Sequence, residues 1–471
     1  MTTTQRHMRD WRSSWLATAT ALAFVGASLG SRGLAQSGSA DRWVGTWATA
    51  EVGRPQNPIP PAGPPLRPFM TNTRCPAPAT PLPAPPPSQT FAPPPYMHFT
   101  NQTLRQIVHT SVGGSKARVV LSNAYGTAAV TIGAAHIALR DKDGAIQTAS
   151  GRALTFSGRP TITMPANAVV YSDPVTLAVP QMSDLAIDLY LPGTTNTPST
   201  FTTHAGAFQT SYISETGNFV GKPTLPQVGT TRSWFLLSRV DVVAPDATGA
   251  VVAFGDSITD GAASTADTNN RWPDHLARRL LAQGMTMGVL NAGIGGNRVL
   301  SEATMPAGVD VRAVGAGLNA LARFERHVLS LPGVTHVIVL EGINDIGNGR
   351  ENPTPTAEDL IAGHRQLIEQ AHARGLKIFG ATLTPFWGAA YYTEVGEAKR
   401  QALNEWIRTS KAYDGVVDFD TATRDPSDPK KLLAQYDSCD YLHPSDAGYK
   451  AMGEAIDLSL FKAGSSTTSS R

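Results

Sequence analysis

The sequence predicts an all-β region followed by an α/β domain with a doubly wound parallel sheet. Up to about residue 247, short β-type runs are separated by Gly, Pro and Asn, and helical periods are scarce. From Thr248 onward, apolar strand-like runs alternate with amphipathic helix-like runs, and this alternation is typical of a parallel sheet. A length of 471 residues exceeds one ordinary core and agrees with two domains.

Residues 1–35 have the layout of a secretory signal peptide. An arginine-bearing start precedes the apolar run from Trp15 to Gly30, and the small-residue site Gly33-Leu34-Ala35 follows it. We expect cleavage after Ala35 and a secreted or periplasmic protein. A membrane anchor is the alternative, although about 16 apolar residues are short for a span. No other stretch is long and apolar enough, so we expect no stable membrane insertion.

Residues 36–247 are assigned to the β-rich region. Runs such as QIVHTSV, ARVVLSN, AVTIGAAHIAL and DLAIDLYLP have the length and punctuation of sandwich strands. A Pro-rich insertion at about 54–95 contains about half of the 35 prolines, which favours extended segments and loop. The run DRWVGTWATAEVG before it suggests the first strand, so the prolines would interrupt the region rather than link two domains. Carbohydrate binding and scaffolding remain equal alternatives for its role.

Residues 248–462 are assigned to the α/β domain, and residues 463–471 to a disordered tail. The predicted strands are AVVAFGDSI, MGVLNAG, HVIVLEG, KIFGATLTP and GVVDFD, and the helices between them include WPDHLARRLLAQ and AEDLIAGHRQLIEQAHARG. A final helix begins at Ser445. In such a sheet the chemistry lies beyond the carboxyl ends of the strands.

Chemically useful residues follow three consecutive predicted strands. Ser257 ends the first strand, the glycine-rich run NAGIGGNR ends the second, and Asn344 follows the third. Asp440 and His443 lie three residues apart after the fifth strand. A serine hydroxyl needs an imidazole to take its proton and a carboxylate to orient that imidazole. Backbone N–H groups and a carboxamide can then stabilise an oxyanion, so the set predicts acyl transfer.

These blocks resemble a known family. The sequences GDSITDG, NAGIGGN, GIND and DYLHP occur in this order and are similar to the four blocks of the SGNH or GDSL hydrolases, which are serine esterases and acylhydrolases. The resemblance covers about Thr248 to Phe461. It implies Ser257 as nucleophile, Asp440 and His443 as the rest of the triad, and Ser257, Gly296 and Asn344 as oxyanion donors.

Aromatic residues raise the question of a substrate pocket. Phe386, Trp387, Tyr391 and Tyr392 follow the fourth strand at the predicted active rim, where a pocket wall competes with simple packing. We take Phe386, Trp387 and Tyr391 as candidate substrate-binding residues. For Trp272, packing of the first helix on the sheet is the favoured interpretation.

The predicted function is that of a secreted ester hydrolase, acting on acetyl or aryl esters of carbohydrates. A net charge of +2 without charge blocks gives no indication of nucleic acid as a partner. No metal or cofactor is implied, and the oligomeric state stays open. A lipase or phospholipase, transfer of the acyl group to a sugar, and a binding or adhesion protein with a vestigial hydrolase domain are the alternatives.

The chain has two cysteines, Cys75 in the Pro-rich insertion and Cys439 directly before Asp440. In an exported protein, two cysteines most simply form one disulfide. We therefore predict a bond that holds the insertion over the loop of Asp440 and His443. Two unpaired thiols are the alternative.

Overall fold

The computed structural model describes residues 41–55, 98–195, 197, 200–247, 249–302, 316–349, 352–353 and 355–462. Three predicted segments lie outside these ranges, namely the signal peptide at 1–35, residues 56–95 of the Pro-rich insertion, and the tail at 463–471. None of the helices within these ranges combines the length and apolar character that a bilayer span requires.

The N-terminal region consists mostly of antiparallel strands, as the sequence predicts. They are β1 (Trp43–Ala48), β2 (Val52–Pro55), β3 (Thr100–His109), β4 (Gly114–Ser122), β5 (Val130–Ile132), β6 (Ala134–Leu139), β7 (Arg152–Leu154), β8 (Ile162–Met164), β9 (Val169–Tyr171), β10 (Val175–Val179), β11 (Asp184–Thr194), β12 (Thr200–His204), β13 (Ser211–Thr216), β14 (Gln227–Thr231), β15 (Trp234–Phe235) and β16 (Leu237–Val243). A short 3-10 turn covers Thr148–Ser150.

These strands form three main sheets. One contains β1, β16, β4 and β10 in that order, with β9 also paired to β4, and a six-stranded sheet has the order β14-β13-β3-β11-β6-β7. A three-stranded sheet has the order β15-β12-β2, and β5 pairs with β8. Strand β1 pairs antiparallel with β16, with Trp43 opposite Val243. The run before the prolines therefore belongs to the same fold as the strands that follow them.

The C-terminal region is built on five parallel strands. They are β17 (Gly249–Gly255), β18 (Met287–Gly293), β19 (Val334–Leu340), β20 (Lys377–Ala381) and β21 (Gly415–Val417). Their order is β18-β17-β19-β20-β21, an order that doubly wound sheets adopt. Every residue of β17 is buried, which explains why this strand reads as a continuous apolar run.

Helices connect these strands. They are α1 (Ser257–Asp260), α2 (Trp272–Ala282), α3 (Ala320–Phe324), α4 (Ile343–Gly349), α5 (Ala357–His372), α6 (Glu394–Thr409), α7 (Phe419–Thr423) and α8 (Asp446–Ala455). A π-helical turn, Glu325–Leu329, continues α3, and 3-10 turns cover Ala434–Tyr436 and Leu458–Phe461. A small hairpin of β22 (Arg424–Asp425) and β23 (Asp428–Leu432) follows α7.

The long elements agree with the sequence prediction, whereas several short ones were missed. Strand β18 is the predicted run MGVLNAG, and α8 follows its N-cap Ser445. Helix α4 was not predicted because its sequence, INDIGNG, is rich in Gly and Asn, which have low helix propensity. Helix α7 and the β22–β23 hairpin are too short to carry a periodic pattern.

The two regions pack directly against each other. The Gly45 N–H donates to the carbonyl oxygen of Pro332 at 3.2 Å, and the Val289 N–H donates to Ser111 Oγ at 2.9 Å. A Cβ at Gly288 would overlap the carbonyl oxygen of Gly45, so the two backbones approach at a distance that only glycine allows. One hydrophobic cluster contains residues of both regions, which therefore share a core.

Candidate active site

Ser257 lies on a tight turn directly after β17, an inner strand of the parallel sheet. Strand β17 ends at Gly255, and Asp256 Oδ1 caps the single-turn helix α1 by accepting a backbone N–H at 2.9 Å. A Cβ at Gly255 would lie 2.6 Å from the carbonyl oxygen of Leu340, so this strand end requires glycine. Residues 255–261, here named the serine turn, thus hold the serine on a rigid support at the carboxyl edge of the sheet.

Asp440 and His443 lie together on residues 437–444, here named the Asp–His loop. His443 Nδ1 is 2.5 Å from Asp440 Oδ2, and Asp440 Oδ1 accepts two backbone N–H groups of the loop at 2.8 and 2.9 Å. Cys439 and Tyr441 have φ angles of +81° and +63°. This left-handed backbone is costly for non-glycine residues, and it occurs on both sides of the aspartate that faces the imidazole.

The fold brings His443 to Ser257 although 186 residues separate them, with 2.9 Å between His443 Nε2 and Ser257 Oγ. A carboxylate only accepts hydrogen bonds, so Nδ1 carries the proton towards Asp440 and Nε2 can accept from the serine hydroxyl. Burial alone would raise the pKa of Asp440, but the hydrogen bond and charge of His443 hold it below its usual value. The three residues predicted as a triad therefore form one hydrogen-bonded series.

Asn344 lies near the start of α4, and its side chain is held at both ends. Its Nδ2 donates to the carbonyl oxygen of Asn297 at 3.0 Å, and its Oδ1 accepts from the Tyr391 hydroxyl at 3.4 Å. The amide Nδ2 carries a second hydrogen. The carboxamide is therefore oriented before any ligand arrives.

The glycine pair after β18 passes close to the serine turn. A Cβ at Gly295 would lie 3.9 Å from the Cβ of Ser257, which is ordinary van der Waals contact. Gly296, the predicted donor, has a φ of +79°, in the left-handed region that glycine adopts most easily. The post-β18 loop thus reaches the rim where Ser257 lies.

Residues 253–451 match a family model described as GDSL-like lipase/acylhydrolase. The matched range includes Ser257, Gly296, Asn344, Asp440 and His443. The chain carries a GDSL-like lipase/acylhydrolase domain. This domain supports a carboxylic ester hydrolase, and the four sequence blocks lie within it as predicted.

Solved structures similar to this GDSL-like domain include a protein from Desulfitobacterium hafniense described as lipolytic and of the G-D-S-L family. It is 24% identical, the alignment covers 44% of this chain and 97% of that one, and the TM-score is 0.33. An acetyl xylan esterase is 18% identical over 44% of this chain and 96% of its own, with a TM-score of 0.32. An aryl esterase of M. smegmatis is 19% identical over 44% and 95%, with a TM-score of 0.33. A search of curated proteins gave no match.

The candidate aromatic residues of the GDSL-like domain occupy different environments. Phe386 is fully buried and its ring centroid lies 6.1 Å from that of Tyr391, so Phe386 belongs to the core. Trp272 is also fully buried, 5.3 Å from the ring of Phe419, as the packing interpretation predicted. Of the candidate substrate-binding residues, Phe386 therefore does not present its ring at the surface.

Trp387 is the most exposed of these candidates, with 38% of its surface accessible. The Lys431 Nζ lies 4.2 Å from the centre of its ring, and the ring of Tyr441 meets it edge-on at 6.4 Å. Tyr441 belongs to the Asp–His loop. The exposed indole therefore lies beside that loop at the rim of the GDSL-like domain.

A buried arginine that the sequence did not single out connects three neighbouring strands. Arg323 of α3 donates to the carbonyl oxygens of Gly255 at 2.9 Å and Ala292 at 2.8 Å, and to Glu341 Oε1 at 3.0 Å. Gly255 ends β17, Ala292 belongs to β18, and Glu341 directly follows β19. The only sequence signal is the carboxylate of Glu341 after a buried strand, because a buried charge needs a partner.

Two buried carboxyl groups lie in this part of the rim. Burial raises the pKa of Asp256 to about 7, and burial together with the charge of Asp256 raises the pKa of Glu341 well above its usual value. Within the described ranges, each has one carboxyl oxygen without a hydrogen-bond partner. For Asp256, which directly precedes Ser257, the shift favours the neutral form, whereas the guanidinium of Arg323, 3.0 Å from Glu341 Oε1, opposes the shift of the Glu341 pKa.

A histidine of the N-terminal region contacts the serine turn. His204 of β12 is buried, with Nε2 3.0 Å from Asp260 Oδ1 and Nδ1 2.7 Å from the carbonyl oxygen of Ala50. Both partners only accept, so the imidazolium form satisfies them together. Burial alone would lower the pKa of His204, but the charge of Asp260 and the hydrogen bonds raise it above its usual value. No sequence motif indicated this contact.

The predicted disulfide joins a described and an undescribed residue. Cys439 lies in the Asp–His loop and is not a free thiol, whereas Cys75 lies outside the described residues. The pairing therefore stays a prediction. As for metals, the described part of the chain contains no group of three or more His, Cys, Asp or Glu suited to hold an ion.

Proposed function

We propose that the chain is an exported serine ester hydrolase that acts on acetyl or aryl esters of carbohydrates. The observation that carries the proposal is the series from Ser257 Oγ through His443 to Asp440, with distances of 2.9 and 2.5 Å. A serine hydroxyl is a weak nucleophile at neutral pH, and this series supplies the base that it needs.

In the acylation step, Ser257 Oγ attacks the ester carbonyl carbon while His443 Nε2 takes the hydroxyl proton. The carbonyl π bond opens to give a tetrahedral oxyanion. When the oxyanion collapses, the bond to the alcohol oxygen breaks and His443 gives its proton to that oxygen. Asp440 holds the imidazole tautomer and stabilises the imidazolium in between.

The oxyanion would be stabilised by the backbone N–H groups of Ser257 and Gly296 and by Asn344 Nδ2. The bonds of Asn344 to Asn297 and Tyr391 hold its amide in place, so little reorganisation is needed when charge develops. Water then attacks the acyl-enzyme with His443 as base, and the acid leaves as Ser257 recovers its proton. A sugar hydroxyl in place of water would make the enzyme a transferase.

Carbohydrate esters are preferred as substrates because export, an N-terminal β region and the exposed indole of Trp387 suit extracellular polysaccharide better than long-chain lipid. A lipase or phospholipase remains the alternative. A binding or adhesion protein with a vestigial domain is the other alternative, and against it every group that acyl transfer requires is present.

A panel of ester substrates tests the proposal. Purified mature protein should hydrolyse p-nitrophenyl acetate and acetylated xylan faster than p-nitrophenyl palmitate, and Ser257→Ala should lack both activities. A higher rate on the palmitate ester would favour the lipase alternative. Binding of polysaccharide without Ser257-dependent hydrolysis of any ester would overturn the enzyme assignment.

The disulfide and export form part of the proposal. A bond between Cys75 and Cys439 would connect the Pro-rich insertion to the Asp–His loop, and it would contribute about 2 to 4 kcal/mol to stability. Titration of thiols in the unfolded, non-reduced mature protein should find none. Two free thiols per chain would end this part of the proposal.

A further inference from the structure

A cavity of about 690 Å³ lies beside the site, between the loop after β18, helix α4 and helix α5. Arg298 and Leu300 line it from the loop, Asp345 and Asn348 from α4, and Gln366 from α5. Its volume falls in the range of about 300 to 1,000 Å³ that is usual for small-molecule sites. None of the proposed triad residues is among the residues that line it.

The cavity wall continues directly from the proposed oxyanion donors. Arg298 follows Gly296 by two residues, and Asp345 follows Asn344. The Asp345 carboxylate accepts the Val299 N–H at 2.8 Å and so joins the post-β18 loop to α4. A ligand group in the cavity would therefore lie next to an ester carbonyl held at the donors.

The wall has an apolar side, formed by Leu300, Leu321, Pro355 and Ala362, and a polar side that is mixed in sign. The polar side offers the guanidinium of Arg298 and the exposed amides of Asn348 and Gln366, beside the carboxylate of Asp345. Arg298 Nε is buried without a hydrogen-bond partner among the described residues, and such a donor is costly to leave unpaired. Closely spaced donors and acceptors suit vicinal hydroxyl groups, whereas an apolar acyl chain against the polar side would desolvate charges without compensation.

We propose that this cavity binds a glycosyl group of the substrate and so selects sugar esters. The proposal rests on the ester hydrolase function proposed above and adds the part of the substrate that is recognised. The glycosyl group would belong to the alcohol moiety of an O-acetylated oligosaccharide, with its hydroxyl groups bonded to Arg298 and Gln366.

The test compares two substrates in the variant R298Q/Q366A. The ratio of kcat/KM for O-acetylated xylo-oligosaccharides to kcat/KM for p-nitrophenyl acetate should fall about tenfold, because one or two hydrogen bonds are lost. The matched control is Q370A/R374Q. Gln370 lies one turn after Gln366 on α5, Arg374 is exposed beside Glu325, and neither is among the residues that line the cavity, so the ratio should not change.

A binding measurement separates this proposal from the proposed function. In Ser257→Ala protein, calorimetric titration with deacetylated xylo-oligosaccharide should show binding that R298Q/Q366A abolishes. An unchanged substrate ratio, or equal binding with and without the cavity substitutions, would overturn the cavity assignment while leaving the esterase intact. A change in preferred acyl length instead would identify an acyl pocket and also overturn it. Without Ser257-dependent hydrolysis of p-nitrophenyl acetate, the proposed function itself would fail.

Discussion

Two histidine–aspartate pairs meet the serine turn, and they differ in origin and in what the imidazole faces. His443 and Asp440 are three residues apart on one loop, whereas His204 and Asp260 are 56 residues apart and come from the two regions of the chain. His443 Nε2 faces a hydroxyl and can exchange a proton with it. His204 has acceptors at both nitrogens, so it can hold Asp260 in place, but both of its N–H groups are already engaged.

The largest effect on kcat is expected for Ser257 and for His443, whose partner Asp440 lies on the same loop. Ser257→Ala and His443→Ala should each lower kcat for p-nitrophenyl acetate by about 10⁶, as for other serine triads. Thermal unfolding checks that both variants remain folded. More than a tenth of the wild-type rate in either variant would remove the triad assignment and with it the contrast between the two pairs.

Removal of the proposed oxyanion donor Asn344 should have a smaller effect on kcat. Asn344→Ala should lower kcat by about 10² to 10³ with little change in KM, because its amide is used mainly when charge develops on the carbonyl oxygen. Steady-state kinetics separate the two constants. If KM rose while kcat held, Asn344 would bind substrate in its ground state.

His204 should act only through the position of the serine turn. His204→Asn can keep the bond to Ala50 but loses the bond to Asp260, whereas His204→Gln can keep the donor towards Asp260. We expect kcat to fall about tenfold in the Asn variant, the loss of one charge-assisted hydrogen bond, and less in the Gln variant, with KM unchanged in both. Equal kcat values in the two variants would contradict this positioning role.

The His204–Asp260 pair makes the free energy of unfolding depend on pH. Since the folded pKa of His204 is raised, its contribution is fully present below about pH 6.5, the usual unfolded value, and is lost as pH rises through the folded pKa. The difference in unfolding free energy between wild type and His204→Gln should therefore shrink with rising pH. Denaturant titrations across pH 5 to 9 measure it, and a difference that grew instead would show that His204 is neutral.

The smallest effect is expected at Tyr391, which orients Asn344 through a long hydrogen bond of 3.4 Å. Tyr391→Phe should lower kcat about two- to fivefold without changing KM. Tyr392→Phe is the matched control, since the Tyr392 hydroxyl bonds Glu394 and not Asn344. An equal loss of kcat in both variants would show that the effect arises from packing and not from the orientation of Asn344.

The sequence predicted features that depend on local spacing or on periodic burial. The parallel strands read as apolar runs because residues such as those of β17 are buried throughout. The Asp440–His443 pair was predictable because a separation of three residues lets a loop return the carboxylate to the imidazole. Helix α4 was missed because its Gly and Asn content opposes the conformation that tertiary packing imposes.

By itself, the sequence determined the order of the elements and identified Ser257 and the Asp–His loop as candidate catalytic groups. These features depend on local patterns, because residues close along the chain stay close in space. Only the tertiary structure decided which side chains point inward and which distant residues meet. It buried Phe386 and left Trp387 exposed on consecutive positions, and it brought Arg323 to neighbouring strands and His204 to the serine turn. Such contacts depend on the burial of whole elements against one another, and no spacing along a single chain segment encodes them.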